Sequence, residues 1–237
     1  MGRLTLAAKL IALVTFAFLA GYSLLEGWGF KAFLFWLFML FLSQTLFYLG
    51  FKFSVLIFVK RLVKELQEIT GFEREIKVLL IDSPEVNAFA TKEKDKELLA
   101  LTTALVLFCN LNELRFAVAH EFSHLYRRHL EKAENNFKLK LGALVTSLVF
   151  PPLIPVSLAL WAFASVRQRN FEHEADEFAC RLLKKLNYSC EGGKSFLKKV
   201  MKFEKEPGLL ERIVNFFTAT HPSLKERFEK ISKIEKN

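Results

Sequence analysis

Three long uncharged runs punctuate the chain. Residues 10–25 carry no charge over 16 positions, with Lys9 at the edge. Residues 32–51 are uncharged over 20 positions, and their main polar interruptions are Ser43, Gln44 and Thr45. A bilayer core needs about 20 helical residues to cross. The second run therefore predicts a membrane span, and the first reaches that length once residues 5–8 are added. The connection at 26–31 holds Gly27 and Gly29 for a tight turn and Trp28 for the interface. Ala20-Gly21-Tyr22 makes a poor cleavage site and another span follows at once, so the pattern predicts an uncleaved helical hairpin. The third run, residues 141–166, is 26 residues long, with Pro151, Pro152 and Pro155 near its middle. Prolines there break a simple helix.

The remaining pattern predicts short elements. Residues 53–69 continue the second span as an amphipathic helix. Strands are expected at 77–81, 86–91 and 97–101, the last two parted by a charged tip at 92–96. Asp82-Ser83-Pro84 reads as a turn. Helical periodicity predicts helices at 112–130, 169–186, 194–204 and 223–234. The expected class is α+β, mainly α: a transmembrane anchor over residues 1–59 and a domain with a small β-sheet over 60–237.

Charge sharpens the membrane reading. The chain carries 34 Lys and Arg against 25 Asp and Glu, a net +9. No nucleic-acid motif accompanies that charge, so no nucleic-acid partner is expected; a basic chain with long apolar runs reads more simply as a protein facing anionic lipid. Arg3 and Lys9 precede the first span, Lys31 alone lies between the two, and Lys52, Lys60, Arg61 and Lys64 follow the second. This distribution puts both ends in the cytoplasm and the connection outside. The three cysteines, Cys109, Cys180 and Cys190, are odd in number and lack paired spacing, which predicts free thiols in a reducing compartment.

The chemistry centres on His120-Glu121-Phe122-Ser123-His124, the H-E-x-x-H pattern. On a helix, positions i and i+4 share a face, so two imidazoles can reach one ion. Zinc favours such nitrogen donors, and the adjacent Glu121 can take a proton from water and pass it to a leaving amine. The flanking Leu114, Phe116, Ala117, Val118 and Leu125 give the apolar side of that helix. A catalytic zinc needs a third protein ligand. Phe171-Glu172-His173-Glu174-Ala175-Asp176-Glu177 offers one. Spacing favours Glu172, with His173 and Glu177 left open. Asp176 lies one turn beyond Glu172 and can accept a hydrogen bond from a ligand imidazole. Glu174 points about 200° away from Glu172 and reads as solvated.

Four segments occur in order: Val86-Asn87-Ala88-Phe89-Ala90-Thr91, the His120–His124 motif, Arg169-Asn170-Phe171-Glu172-His173-Glu174-Ala175-Asp176, and Thr220-His221-Pro222. Together they resemble the HtpX-like membrane-bound zinc metalloproteases, relatives of the CAAX-prenyl endopeptidases. The resemblance runs from about residue 50 to the C-terminus. It implies a zincin-like, gluzincin-type domain with His120, His124 and Glu172 binding one Zn2+ per chain. It further implies Glu121 as general base, Asp176 behind the ligands, and His221 near the site as a donor to the oxyanion. Asn87, Ala88, Phe89 and Ala90 resemble the family's strand beside the cleft, where an extended polypeptide substrate pairs through its backbone. Gln168 stands where relatives often have Ser, and relatives often carry two full spans where only 47 residues separate His124 from Glu172.

That short gap constrains topology. Both ligand helices must share one side of the bilayer, and 26 apolar residues are too few for two crossings. The expectation is an apolar hairpin folded at residues 151–155 that dips into one leaflet or packs on the first two helices. The reading is a membrane-anchored zinc endopeptidase of the cell membrane, multi-pass, with its site facing the cytoplasm. It would hydrolyse membrane or membrane-proximal proteins, in quality control by resemblance. The alternative is a catalytically silent zinc-fold module for binding or regulation. An intramembrane site is disfavoured by Glu113, Arg115, Arg127, Arg128 and His129 around the motif.

Overall fold

A computed structural model describes residues 13–22, 25–26, 29–93, 96–203 and 222–236. The apolar helix α1 covers Leu13–Tyr22. Helix α2 runs without a break over Gly29–Thr70, 42 residues. Its N-terminal part is exposed and apolar, with Phe30, Phe38 and Phe41 outward. From Val55 onward it turns one stripe inward, burying Val55, Val59, Leu62, Val63 and Leu66. Those intervals of three and four residues are one face of a helix. A single rod thus leaves the apolar region and becomes the back wall of the core, passing straight through the 59/60 boundary expected from sequence. Gly71, at φ +65°, ends it, and the Phe72 N–H donates to the Gln67 carbonyl at 3.1 Å.

Three strands follow: β1 (Ile76–Ile81), β2 (Ala88–Glu93) and β3 (Lys96–Thr102), in the order β1-β3-β2. β1 is parallel to β3 and β2 antiparallel to it, with Phe89 opposite Ala100 and Ala90 opposite Leu99. The central strand β3 is the most buried, and β2 is left as an edge. Thr102 fixes the approach to that edge. Its hydroxyl donates to the Glu85 carbonyl at 2.6 Å and accepts the Asn87 N–H at 3.1 Å. It also caps α3 (Thr103–Phe108), a short helix that the sequence pattern did not reveal.

Helix α4 covers Leu111–Tyr126 and opens on a capping box between Asn110 and Glu113. The expected helix over 112–130 is in fact two. Arg128 takes the left-handed conformation at φ 54°, and α5 (His129–Val149) starts in a new direction. No Gly or Pro marks this break, so neither periodicity nor turn chemistry signals it. The chain reverses through Phe150 and a 3-10 turn at Pro151–Leu153 into α6 (Ile154–Lys185). The expected 169–186 helix is therefore the C-terminal half of a longer one, for which Pro155 sits tolerably in the first turn. α5 and α6 run antiparallel. Ser157 Oγ donates to Ala143 O at 2.8 Å, Trp161 Nε1 to Lys140 O at 3.0 Å, and Asn136 Nδ2 to Ala164 O at 3.4 Å.

Among the described residues, helices α7 (Glu191–Met201) and α8 (Leu224–Lys236) follow α6. Cys180 and Cys190 lie side by side across the α6–α7 turn, Cα atoms 5.1 Å apart, and are joined as a disulfide. This corrects the expectation of three free thiols; Cys109 alone is free, and it is buried.

Candidate metal centre

Helix α4 carries His120 and His124 on one face, and α6 brings Glu172 against them. His120 Nε2 and His124 Nε2 are 3.1 Å apart. Glu172 Oε2 is 3.5 Å from the first and Glu172 Oε1 is 3.6 Å from the second. Among the described residues this is a cluster able to hold a metal ion. Tetrahedral zinc with bonds of about 2.0–2.1 Å needs donor atoms about 3.3–3.4 Å apart. The nitrogen–nitrogen distance and the distance from each nitrogen to its own Glu172 oxygen lie within about 0.3 Å of that value, and two imidazoles with one carboxylate leave a position open. The residues fit zinc. His173 and Glu177, the alternatives from spacing, do not join them: His173 Nε2 faces Glu226 Oε1 at 2.9 Å, and Glu177 pairs with Arg181.

The charges around the cluster are arranged for a cation. Burial disfavours charge on His120, yet Asp176 and Glu172 outweigh it and raise the imidazole to about 10. Burial, then the neighbouring His120 charge, push His124 down to about 3. Without metal, one proton therefore sits on His120 where the donors demand positive charge. His120 Nδ1 lies 2.9 Å from Asp176 Oδ1, close enough for an ion pair though off hydrogen-bond alignment.

Arg227 and His129, given no site role from sequence, and Glu174, read there as solvated, complete the surroundings. Arg227 of α8 grips Asp176 with two bonds, Nε to Oδ2 at 2.8 Å and Nη2 to Oδ1 at 2.7 Å, and its Nη1 stands 3.5 Å from Glu172. His129, 2% exposed, places Nδ1 3.2 Å from His124 Nδ1 and Nε2 3.4 Å from Glu174 Oε2, while its ring stacks on Phe171. Glu174 is thus half-exposed but not simply solvated. The role of His129 was missed because its position depends on the left-handed Arg128; Arg227 carries no spacing signal at all.

Glu121 is half-buried and faces a cleft of about 450 Å³. Burial raises its carboxyl, and the Glu172 charge adds to this, against His120, Arg227 and a hydrogen bond from the Ala90 backbone. Asn87, Ala88, Phe89 and Ala90 line the same cleft along the β2 edge, with Leu105, Phe116 and Phe196 as apolar lining. His221 lies outside the described residues.

Residues 58–235 match the model of peptidase family M48. Protease HtpX homologs from Helicobacter pylori strains J99 and Shi470 are each 38% identical over 68 residues, 28% of this chain and 22% of theirs. The match thus spans about a fifth of the length of these curated relatives. The crystal structure of S. mikatae Ste24p aligns over 97% of this chain and 64% of that one, at 20% identity and a TM-score of 0.49.

Proposed function

The chain belongs to peptidase family M48, and from that premise we propose that it is a membrane-anchored, zinc-dependent endopeptidase acting on membrane or membrane-proximal polypeptides. The observation that carries this reading is the convergence of two imidazole nitrogens, 3.1 Å apart, on the Glu172 carboxylate, which sets one oxygen 3.5 Å from His120 Nε2 and the other 3.6 Å from His124 Nε2. His120, His124 and Glu172 hold one zinc per chain. Bound there, zinc would polarise the scissile carbonyl and bring the ionisation of water toward neutral pH.

The protein's own groups do the rest. Glu121, beside these ligands and open to the cleft, takes a proton from the attacking water and returns it to the leaving amine. Its raised pKa suits both halves of that transfer. Asp176, held by Arg227, fixes the His120 ring, and His129 with Glu174 fixes the His124 ring. The β2 edge at Asn87, Ala88, Phe89 and Ala90 pairs with an extended substrate backbone, which gives affinity without sequence choice. His221 remains a candidate donor to the oxyanion, on resemblance alone.

The anchor comprises α1 and α2, with the cleft on the cytoplasmic side. Support comes from α2, whose Phe30–Thr70 stretch is long and apolar enough to cross a bilayer, and from the basic residues that follow its apolar part. The test is metal analysis and proteolysis of the full chain, wild type and Glu121→Gln. Both proteins should hold one zinc, and the variant should cleave casein about 100- to 10,000-fold more slowly. Equal cleavage by the two rejects Glu121 as base; a wild type that binds zinc but cleaves nothing supports the silent binding module instead.

A further inference from the structure

We propose that the α5–α6 tip inserts into a single leaflet, reaching about the bilayer midplane, and thereby fixes the height of the cleft above the lipid. The second half of this statement rests on the endopeptidase reading; the first does not.

Between residues 141 and 160 the hairpin has no charge. Its outward side chains are large and apolar: Leu148 is 73% and Val149 80% exposed, with Phe150, Ile154 and Leu158 beside them. The polar side chains of this stretch are three hydroxyls, and each is satisfied inside the hairpin. Thr146 donates to the Gly142 carbonyl and Ser147 to that of Leu144, both at 2.8 Å, and Ser157 crosses to Ala143. A surface meant for water or a polar partner has no need of this. One meant for hydrocarbon does, because an unpaired donor there costs several kcal/mol (about 2–7).

The level of the lipid surface is marked on both arms. Trp161 bonds to the Lys140 carbonyl at 3.0 Å, and the Lys140 ammonium stands 5.3 Å from its ring. An indole and a cation at one level suit the headgroup region. From Lys140 to Phe150 the helix rises about 15 Å, half of a hydrocarbon core of about 30 Å. The arms therefore cannot cross, and they reach the midplane.

The same level gives the height of the site. Lys140 lies eleven positions after His129, and Glu172 lies eleven positions after Trp161. Both intervals correspond to about 16 Å of helix. An extended chain advances about 3.3 Å per residue, so the cleft meets a substrate about five residues beyond the lipid surface. The substrate class is a juxtamembrane segment, selected by its distance from lipid.

Depth is measured on the full chain in phosphatidylcholine–phosphatidylglycerol vesicles, with bimane on single introduced cysteines. Cys109 is buried and the other two cysteines are paired, so the native background stays silent. Leu148→Cys should be quenched most by lipids brominated deep in the acyl chain, Leu141→Cys by shallow bromines, and Glu134→Cys by neither. An impermeant thiol reagent should reach Leu148→Cys from neither face. Labelling from the far face overturns the proposal in favour of a crossing. Absence of quenching overturns it too, and crosslinking of Leu148→Cys between copies would then identify a second copy as the occupant. These readouts need no activity. The height is read on a substrate with one spanning helix followed by a uniform Gly-Ser-Ala repeat. Cuts should cluster about five residues out. Cuts spread evenly along the repeat overturn the height while leaving the insertion. No cleavage of any substrate, with depths as expected, removes the endopeptidase reading and the height with it.

Discussion

The ring of His129 admits one consistent set of protons. An imidazole that gives Nε2 to a cation carries its hydrogen on Nδ1. His124 Nδ1 therefore donates to His129 Nδ1, and His129 Nε2 donates to Glu174. Burial, the largest influence, holds His129 down at about 4, so at neutral pH the ring has a lone pair to accept that hydrogen. Such outer contacts are worth about 10- to 100-fold in metal affinity. His129→Phe, which keeps the stack on Phe171, should weaken zinc binding by that factor in competition with a colorimetric chelator. His129→Asn, which returns an acceptor near the Nδ1 position, should recover part of it; affinity equal to wild type in the Phe variant would leave His129 a packing residue only. Protons compete as well. His120, raised to about 10, holds a proton at pH 7 that zinc must displace. Zinc uptake should release that proton to an indicator dye in weak buffer, and apparent affinity should climb as pH rises toward that value. Spacing brought His120 and His124 into view, since i and i+4 is a local rule; it favoured Glu172 but left His173 and Glu177 open, and the family resemblance narrowed that choice. Arg227 and His129 were out of reach because their positions come from long-range docking and a helix break.

At the scale of elements, α4 is held at its start by α7. Glu113, fully buried, closes the capping box and receives Ser195 and the Lys199 ammonium, the latter at 2.5 Å. Burial alone would raise its carboxyl, but Lys199, Ser195 and the Asn110 N–H together hold it below the usual carboxylate value. A depressed folded pKa stabilises above the unfolded value of about 4.3. That contribution is lost as pH falls through the lower folded value, so the melting temperature should drop in that acid window, and drop less in Glu113→Gln. Gly192 is the second fixing point. A Cβ there would drive into the Asn112 carbonyl, and one on Gly193 into the Phe116 ring. Gly192→Ala should cost about 1–3 kcal/mol, the usual range for overpacking, visible as a lowered thermal midpoint. Strand positions were legible within two residues, because alternation and flanking turns are local. α3, with six residues, was too short for periodicity to mark.

For the whole molecule, sequence hydropathy located the apolar segments but not how they join the core. The continuation of the second span through residues 53–69 was legible, as the α2 rod bears out, whereas the full length of α6 emerges only because tertiary packing carries helix through a place where composition changes. The Cys180–Cys190 contact was equally hidden, since it depends on the angle between α6 and α7. Removing residues 1–54 should leave a chain that aggregates in the absence of detergent, because the hairpin still exposes Leu148, Val149 and Phe150. Light scattering of that truncation beside one also carrying Leu148→Glu and Val149→Lys would register the difference, with the second expected to remain dispersed.

The unbroken α2 has a mechanical corollary. It supplies no swivel between its apolar half and the cleft, so their relative azimuth is set by the count of residues between Phe30 and Val55. Each residue inserted near Gly50 would turn the lipid-facing half by about 100° and displace it by about 1.5 Å. The rod is a phase gauge as much as an anchor, and its length in residues is itself under constraint.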